Sequence, residues 1–280
     1  MEDKIIRNLI SGYFSEDIGD GDHSSIASIP SDAKGNAVLF IKQPGIMAGM
    51  RIADLVFEIA DRDLKCEFLI KDGAEIKPGD KGFFLSGRVQ SILKAERLVL
   101  NILQRMSGIA TSTHEYVKKI EGLKTKILDT RKTTPGFRVF EKEAVRIGGG
   151  ENHRMGLYDM IMLKDNHIDY SGGIENCIRS TRKYLSEKNL DLRIEIEARN
   201  INDIKRILDC GGVDRIMLDN FNIEDTLAAV SLINRRFETE SSGGITLETI
   251  RAYAECGVDF ISVGALTHHI KSLDMSMKAV

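Results

Sequence analysis

The chain has 280 residues, 42% of them apolar and 29% charged, with a net charge of −3. Those proportions belong to a soluble globular protein of one or two domains, and they exclude a disordered, fibrous or disulfide-scaffold chain. The mildly negative balance gives no reason to expect nucleic acid or an anionic membrane as partner, and no stretch approaches the roughly 20 apolar residues of a membrane span.

The first residues, MEDKIIRNLISGYFSEDIGDGD, lack the basic-then-apolar order of a secretory leader, so a mature cytoplasmic protein is expected. The runs AVLFIKQ, KCEFLIKDG and GFFLSGRV read as strands. Between the first two, MRIADLVFEIADR carries Ile52, Leu55, Val56 and Ile59 at helical spacing. DGAEIKPGD supplies Gly and Pro for a reversal. QSILKAERLVLNILQRM is a long helix with Ile92, Leu93, Leu98, Leu100, Ile102 and Leu103. These elements make an α+β domain over about 1–110. Cys66, Cys177, Cys210 and Cys256 are scattered without a CxxC, and they read as buried free thiols.

From about residue 120 a beat sets in. Short apolar runs end in polar or Gly-rich patches: KILDTRKT, MIMLKDNH, RIEIEARN, RIMLDNF, FETESSGG and FISVGALTHH. Helical stretches lie between them, and proline is absent after Pro135. Strand–helix alternation of this kind predicts parallel strands joined by crossover helices. Six units predict a closed or nearly closed α/β barrel, with an open doubly wound sheet as the other architecture.

In such a barrel, chemistry sits at the C-terminal strand ends. Those ends carry Asp129, Arg131 and Lys132; Lys164 and Asn166; Glu195 and Glu197; Asp219; Ser242 and Gly243; and Gly264. A strand must exit into solvent, so one polar end means little; six in succession mean more. Glu195 and Glu197 share a strand face, as do Met162 with Lys164 and Met217 with Asp219. If Ile194 and Ile196 face the helix layer, both carboxylates point into the barrel. Buried charges of this kind need pairing, a ligand or a metal.

Residues 131–154 set six cations against three carboxylates, a net +3 in a chain of net −3. That stretch is either a solvated loop or an anion-collecting one, since guanidinium groups suit carboxylate and phosphate. ESSGGITLETI and SVGALTHHI each place glycine between a strand and a helix, where backbone N–H groups can meet phosphate. Neither fits GxxxxGK[ST] or GxGxxG. His268 and His269 read as structural rather than metal-binding.

Taken together, EDIGDGDHSS, ERLVLNILQRMSGIAT, DTRKTTPGFRVFEKEAVRIGGGENHRMGLYDMIMLKDNH, IMLDN, ESSGGI and ISVGALTH resemble the quinolinate phosphoribosyltransferase family over nearly the whole chain and in order. The resemblance implies pentosyl transfer from phosphoribosyl pyrophosphate to quinolinate with decarboxylation, dependent on Mg²⁺. It implies an N-terminal α/β sandwich domain at 1–110, an open α/β barrel at 111–270, and a C-terminus, about 270–280, that can pack back on the first domain. It implies a homodimer whose active site is shared between subunits.

By the same resemblance, the substrate-binding residues fall on Arg105, Thr130, Arg131, Lys132, His153, Arg154 and Lys164. Phosphate-binding turns fall on Ser242, Gly243 and Gly244 and on Gly264 with Ala265. The acidic pair falls on Glu197 and Asp219, the expected metal ligands, and with Lys164 these are the expected catalytic residues. Between them the chain is one residue longer than the family spacing, at Gly211–Gly212, so the choice between Glu195 and Glu197 stays open. Three other functions compete: a Schiff-base aldolase using Lys164, a carrier module on the DGAEIKPGD hairpin, and a sibling transferase acting on nicotinate or a related base.

Overall fold

The computed structural model of the chain describes residues 2–280. In chain order the elements are α1 (Glu2–Ile18), α2 (His23–Ser28), β1 (Lys34–Ile41), β2 (Gly45–Ile46), α3 (Met50–Ala60), β3 (Lys65–Phe68), β4 (Glu75–Ile76), β5 (Lys81–Arg88), α4 (Val89–Lys119) and β6 (Lys126–Leu128). Then come α5 (Arg138–Ile147), β7 (Ile161–Leu163), α6 (Asp165–Tyr170), α7 (Ile174–Lys188), β8 (Ile194–Ala198), α8 (Ile201–Cys210) and β9 (Arg215–Asp219). The last are α9 (Ile223–Ile233), β10 (Glu238–Ser242), α10 (Ile250–Glu255), β11 (Phe260–Ser262), α11 (Ala265–His268) and β12 (Met275–Ala279). They divide into two units. The first holds residues through His114 together with 133–149 and 266–280, and the second holds 115–132 and 150–265.

The first unit is built on an antiparallel sheet of order β12-β1-β5-β3. Phe83 and Leu85, two apart on β5, are buried while Phe84 between them is exposed, as period-two alternation requires. Helix α3 buries Ile52, Ala53, Val56, Phe57 and Ala60. The Phe57 and Phe68 rings meet Phe83 edge-on, at centroid distances of 5.3 and 5.9 Å. Of the apolar residues expected on α4, only Leu93 is exposed, at 39%. The helix also continues past Met106 to Lys119.

Sequence pattern alone did not single out β12. Its Met275 and Met277 are buried, and it pairs with β1 in the register Leu39↔Met277. The segment before it is fastened to α4, where Leu273 N–H donates to the Gln104 carbonyl (3.0 Å) and Gln104 Nε2 donates to the Met275 carbonyl (2.9 Å). Gly108 permits this approach, because a Cβ there would collide with the Lys271 carbonyl.

The second unit is a six-stranded parallel sheet of order β6-β11-β10-β9-β8-β7. Among the described strands β6 and β7 are not paired with each other, so the barrel is open. Residues 194–198 of β8 are buried throughout, with Ile194 and Ile196 on one face and Glu195 and Glu197 on the other. The register sets Glu195 beside Arg215 and Glu197 beside Met217. Gly211 and Gly212 lie between α8 and β9 at φ +63° and +78°, before the strand starts. The four thiols are free, but Cys210 is exposed and Cys66 is only partly buried, a departure from the uniform burial expected.

The clash at Gly108 has a measurable cost. Gly108→Ala is expected to lower the unfolding free energy in urea titrations by about 1–3 kcal/mol, the scale of an overpacked site. Gly12→Ala in α1, where a Cβ meets nothing within 4 Å, should raise stability by up to about 1 kcal/mol, the helix-propensity gain.

Candidate active site

The C-terminal ends of the parallel strands open on one cleft of about 620 Å³, a volume suited to a small ligand. After β6 come Thr130, Arg131 and Lys132; the 150–154 loop adds His153 and Arg154. Strands β7 and β8 contribute Lys164 and Glu197, β9 contributes Asp219, and β10 leads into Ser242, Gly243 and Gly244. Met162 and Met217 line it as well, on the faces that alternation assigned them.

Buried Asp129 organises the cationic side. Its Oδ1 accepts the His153 backbone N–H (2.8 Å) and its Oδ2 accepts Asn152 Nδ2 (2.7 Å), fixing the start of the HR pair against β6. Burial, with Arg131 close by, lowers the Arg154 guanidinium from its usual range. Such lowering is the electrostatic signature of a site that gains from an incoming anion.

On the acidic side Lys164 Nζ lies 2.8 Å from Glu197 Oε1, and the Asp165 backbone N–H donates to Glu197 Oε2 (3.1 Å). Burial and the neighbouring Glu197 charge raise the Asp219 carboxyl above the ordinary carboxylate range. The Lys164 environment differs from the desolvated, apolar pocket that activates a Schiff-base lysine, since its side chain is 47% exposed and ion-paired. Gly243, at φ +100°, has no room for a Cβ against Asn220, and Gly244 follows at φ +61°. Gly243 must be glycine where the backbone turns past Asn220, and Gly244 sits in the left-handed region that favours it.

At the floor of the cleft lies a buried charge cluster, of which the sequence pointed to His153 and Glu195 but not to Arg215 and Glu240. Arg215 Nη1 donates to Glu240 Oε2 (2.9 Å), and its guanidinium stacks 3.9 Å above the Phe260 ring. His153 Nε2 is 2.9 Å from Glu195 Oε2 and 3.5 Å from Glu240 Oε2, while its Nδ1 accepts the Arg154 N–H (2.7 Å). Neither carboxylate has exposed surface. Burial pushes Glu195 up to about 6 and, with the Glu195 charge, Glu240 up to about 8. The three side chains His153, Glu195 and Glu240 could hold a metal ion by their spacing, but Arg215 already places a cation on the same carboxylates.

Several expectations sort differently in three dimensions. Glu195 sits below the cleft and Glu197 lines it, although both face inward. Gly264 and Ala265 are not among the lining residues; β11 ends at Ser262, and it is Ser262 that reaches the cleft. Arg105 belongs to the first unit. There its Nε and Nη2 donate to Glu141 Oε1 (2.9 and 2.6 Å). Asp165, Asn220 and Glu240 line the cleft and were not singled out as site residues. Glu240 could have been found by counting two residues back from Ser242 along the inward face.

Comparison with known proteins agrees across the chain. A family model described as quinolinate phosphoribosyl transferase, N-terminal domain, matches residues 22–107, and the model for its C-terminal domain matches 109–278. Among curated relatives, the chain is 45% identical to "Nicotinate-nucleotide pyrophosphorylase [carboxylating], chloroplastic" of Arabidopsis thaliana, over 98% of this chain and 82% of that one. It is 41% identical to the probable nicotinate-nucleotide pyrophosphorylase [carboxylating] of Bacillus subtilis, over 97% and 92%. Among solved structures, NadC from Streptococcus pyogenes superposes with a TM-score of 0.92 at 38% identity, covering 98% of this chain and 95% of that one. The nicotinate-nucleotide pyrophosphorylase from Francisella tularensis gives 0.90 at 38% identity, covering 100% and 97%.

The raised Glu240 carboxyl ties stability to pH. It binds its proton more tightly folded than unfolded, so folding is unpenalised below the ordinary carboxylate range and loses stability as pH climbs toward about 8. Urea denaturation between about pH 5 and about pH 8 should show this decline, and Glu240→Gln should flatten its upper half. An unchanged slope in the variant would assign the titration to another group.

Proposed function

Because the chain belongs to the quinolinate phosphoribosyltransferase family, we propose that it transfers the phosphoribosyl group of phosphoribosyl pyrophosphate to quinolinate with loss of CO2. The products are nicotinate mononucleotide and pyrophosphate, a step of NAD biosynthesis. The observation that carries this is one cleft in which Arg131, Lys132, Arg154 and Lys164 face Glu197 and Asp219, beside a glycine turn.

Each part has work in that reaction. Quinolinate is a dianion and the donor carries several negative charges, so a preorganised cationic wall supports both binding and charge stabilisation. The turn at Ser242 to Gly244 presents backbone where a phosphate can approach. As the ribose C1 bond breaks, oxocarbenium character develops, and Glu197 and Asp219 supply nearby negative charge. The ring nitrogen attacks C1; the resulting pyridinium then accepts the electron pair left as the 2-carboxylate departs, and C2 takes up a proton. Lys164 and Arg131 hold that carboxylate in place until it leaves.

Mg²⁺ is part of the proposal. Two carboxylates at neighbouring strand ends, with Asp219 raised by burial and by the Glu197 charge, fit a hard cation with oxygen ligands, and Glu197 and Asp219 are the residues that would hold it. The chemistry it supplies when bound is neutralisation of pyrophosphate charge. We assign the working form to a homodimer in which Arg105 of one subunit completes the cleft of the other, and to the cytoplasm, which accords with four free thiols. Among the described residues, no helix is long and apolar enough to cross a membrane.

The function is tested by following CO2 from carboxyl-labelled quinolinate. Release is expected only with phosphoribosyl pyrophosphate and Mg²⁺ present; turnover of nicotinate instead would identify a sibling base-specific transferase. Glu197→Ala and Asp219→Ala are each expected to remove most of the Mg²⁺-dependent rate, whereas Glu195→Ala should chiefly lower stability, since it takes one carboxylate from beside His153 and Arg215. Near-normal turnover in both of the first two variants would remove them from the metal's role.

Lys164→Ala and Arg131→Ala are expected to weaken quinolinate binding by about 10- to 100-fold, the scale of a lost charge-assisted bond. Nicotinate, lacking the second carboxylate, should lose much less. Equal losses in titration calorimetry would show that these cations do not read the extra carboxylate.

A further inference from the structure

Glu141, in the first turn of α5, has no exposed surface, yet none of its interactions concerns the cleft described above. Its Oε1 accepts both Nε (2.9 Å) and Nη2 (2.6 Å) of Arg105, and its Oε2 accepts the Thr134 backbone N–H (3.1 Å). Arg105 Nη2 also donates to Thr134 Oγ1 (2.8 Å) and to the Thr267 carbonyl (3.1 Å). The loop that carries Thr134 is itself closed. Phe137 N–H donates to the Thr134 carbonyl (3.0 Å), and Tyr13 Oη donates to the Gly136 carbonyl (2.6 Å). The Phe137 and Phe140 rings pack at a tilt, 4.8 Å between centroids, beside the Tyr13 ring.

One edge of the guanidinium is therefore tied down by a buried carboxylate and a braced loop. The other end differs. Among the described residues Nη1 has no partner, and 30% of the Arg105 side chain is exposed. A buried ion pair is a poor source of net stability compared with apolar residues of the same size. Its better use is to fix an orientation. A planar guanidinium held along Nε and Nη2 cannot rotate, so Nη1 points one way before any ligand arrives, and ordering costs less on binding.

We propose that Glu141 is the positioning residue for Arg105, holding its guanidinium with Nη1 outward to receive an anionic group of quinolinate. This rests on Arg105 being a substrate-binding residue, as proposed above. Glu141 itself touches no substrate and acts through Arg105. Thr134 Oγ1 is the second, weaker brace.

The test is a mutant cycle on the full chain, with quinolinate affinity measured by calorimetry and KM and kcat measured by CO2 release. Arg105→Ala and Glu141→Gln are each expected to raise Kd and KM for quinolinate by about tenfold or more, with kcat changing less. The double variant should be no worse than Arg105→Ala alone, and Glu141→Asp should recover part of the loss. Thr134→Val, an exposed and mild change, should raise KM about two- to threefold in the native background and not at all beside Arg105→Ala.

A merely structural carboxylate would lower Tm and give additive losses in the cycle. Additivity, or wild-type affinity in Glu141→Gln and Thr134→Val, overturns the proposal. If Arg105→Ala itself binds quinolinate normally, the substrate role of Arg105 falls and the positioning role falls with it. That result is distinct from one in which Arg105→Ala is impaired and Glu141→Gln is not.

Discussion

Charge on the inside of the barrel is the constraint that the second unit is arranged around. Alternation along β8, β9 and β10 sends Glu195, Arg215 and Glu240 inward, where all three are buried. Two carboxylates without exposed surface are tolerable only if a cation, a proton or both are close. Arg215 supplies the cation from the start of β9, and Phe260 covers its face. His153 closes the cluster from above. The loop that bears His153 and Arg154 is thus anchored twice, by Asp129 through backbone and by the buried acids through the imidazole. The loop that forms the cationic wall is seated against buried carboxylates as well as against Asp129.

The sequence made the periodicities plain, and with them the six parallel strands and the helices between. Side-chain parity was legible too: Met162 with Lys164, and Met217 with Asp219, share the faces that counting in twos assigns. Depth was not. Glu195 and Glu197 have the same parity and Glu197 stands nearer the C-terminal mouth, but how far down the cleft reaches, leaving Glu195 under it, is set by the neighbouring strands and loops. Partner choice was not legible either. Lys164 could be read as nucleophile or anion reader until the position of Glu197 was known. The glycine at 264 looked like a strand-end residue, but the inward register of β11 falls on Phe260 and Ser262 and stops there.

Short elements escaped for a different reason. The pair β2 and β4 has two residues in each strand, too few to show a period. Strand β12 alternates well, MSMKA, but over five residues that pattern does not separate from chance. Its significance comes from Gly45, Gly108 and Gln104, which are remote in sequence and make room or bonds for the segment preceding it.

That remoteness has a consequence for how the molecule is made. Strand β1 is synthesised early, but the edge it offers is filled by residues 275–279, more than two hundred positions later. The inserted stretch 133–149 also arrives late. During translation the first unit therefore waits with an unpaired strand edge and a helix, α4, whose Gln104 lacks its partner, while the second unit has all its strands by Ser262. The first unit cannot complete its sheet until the last residues of the chain are made, although most of it is synthesised first. An open edge on β1 is also the element most exposed to pairing with another nascent chain, so release of the last residues closes the sheet and removes an aggregation hazard in the same event.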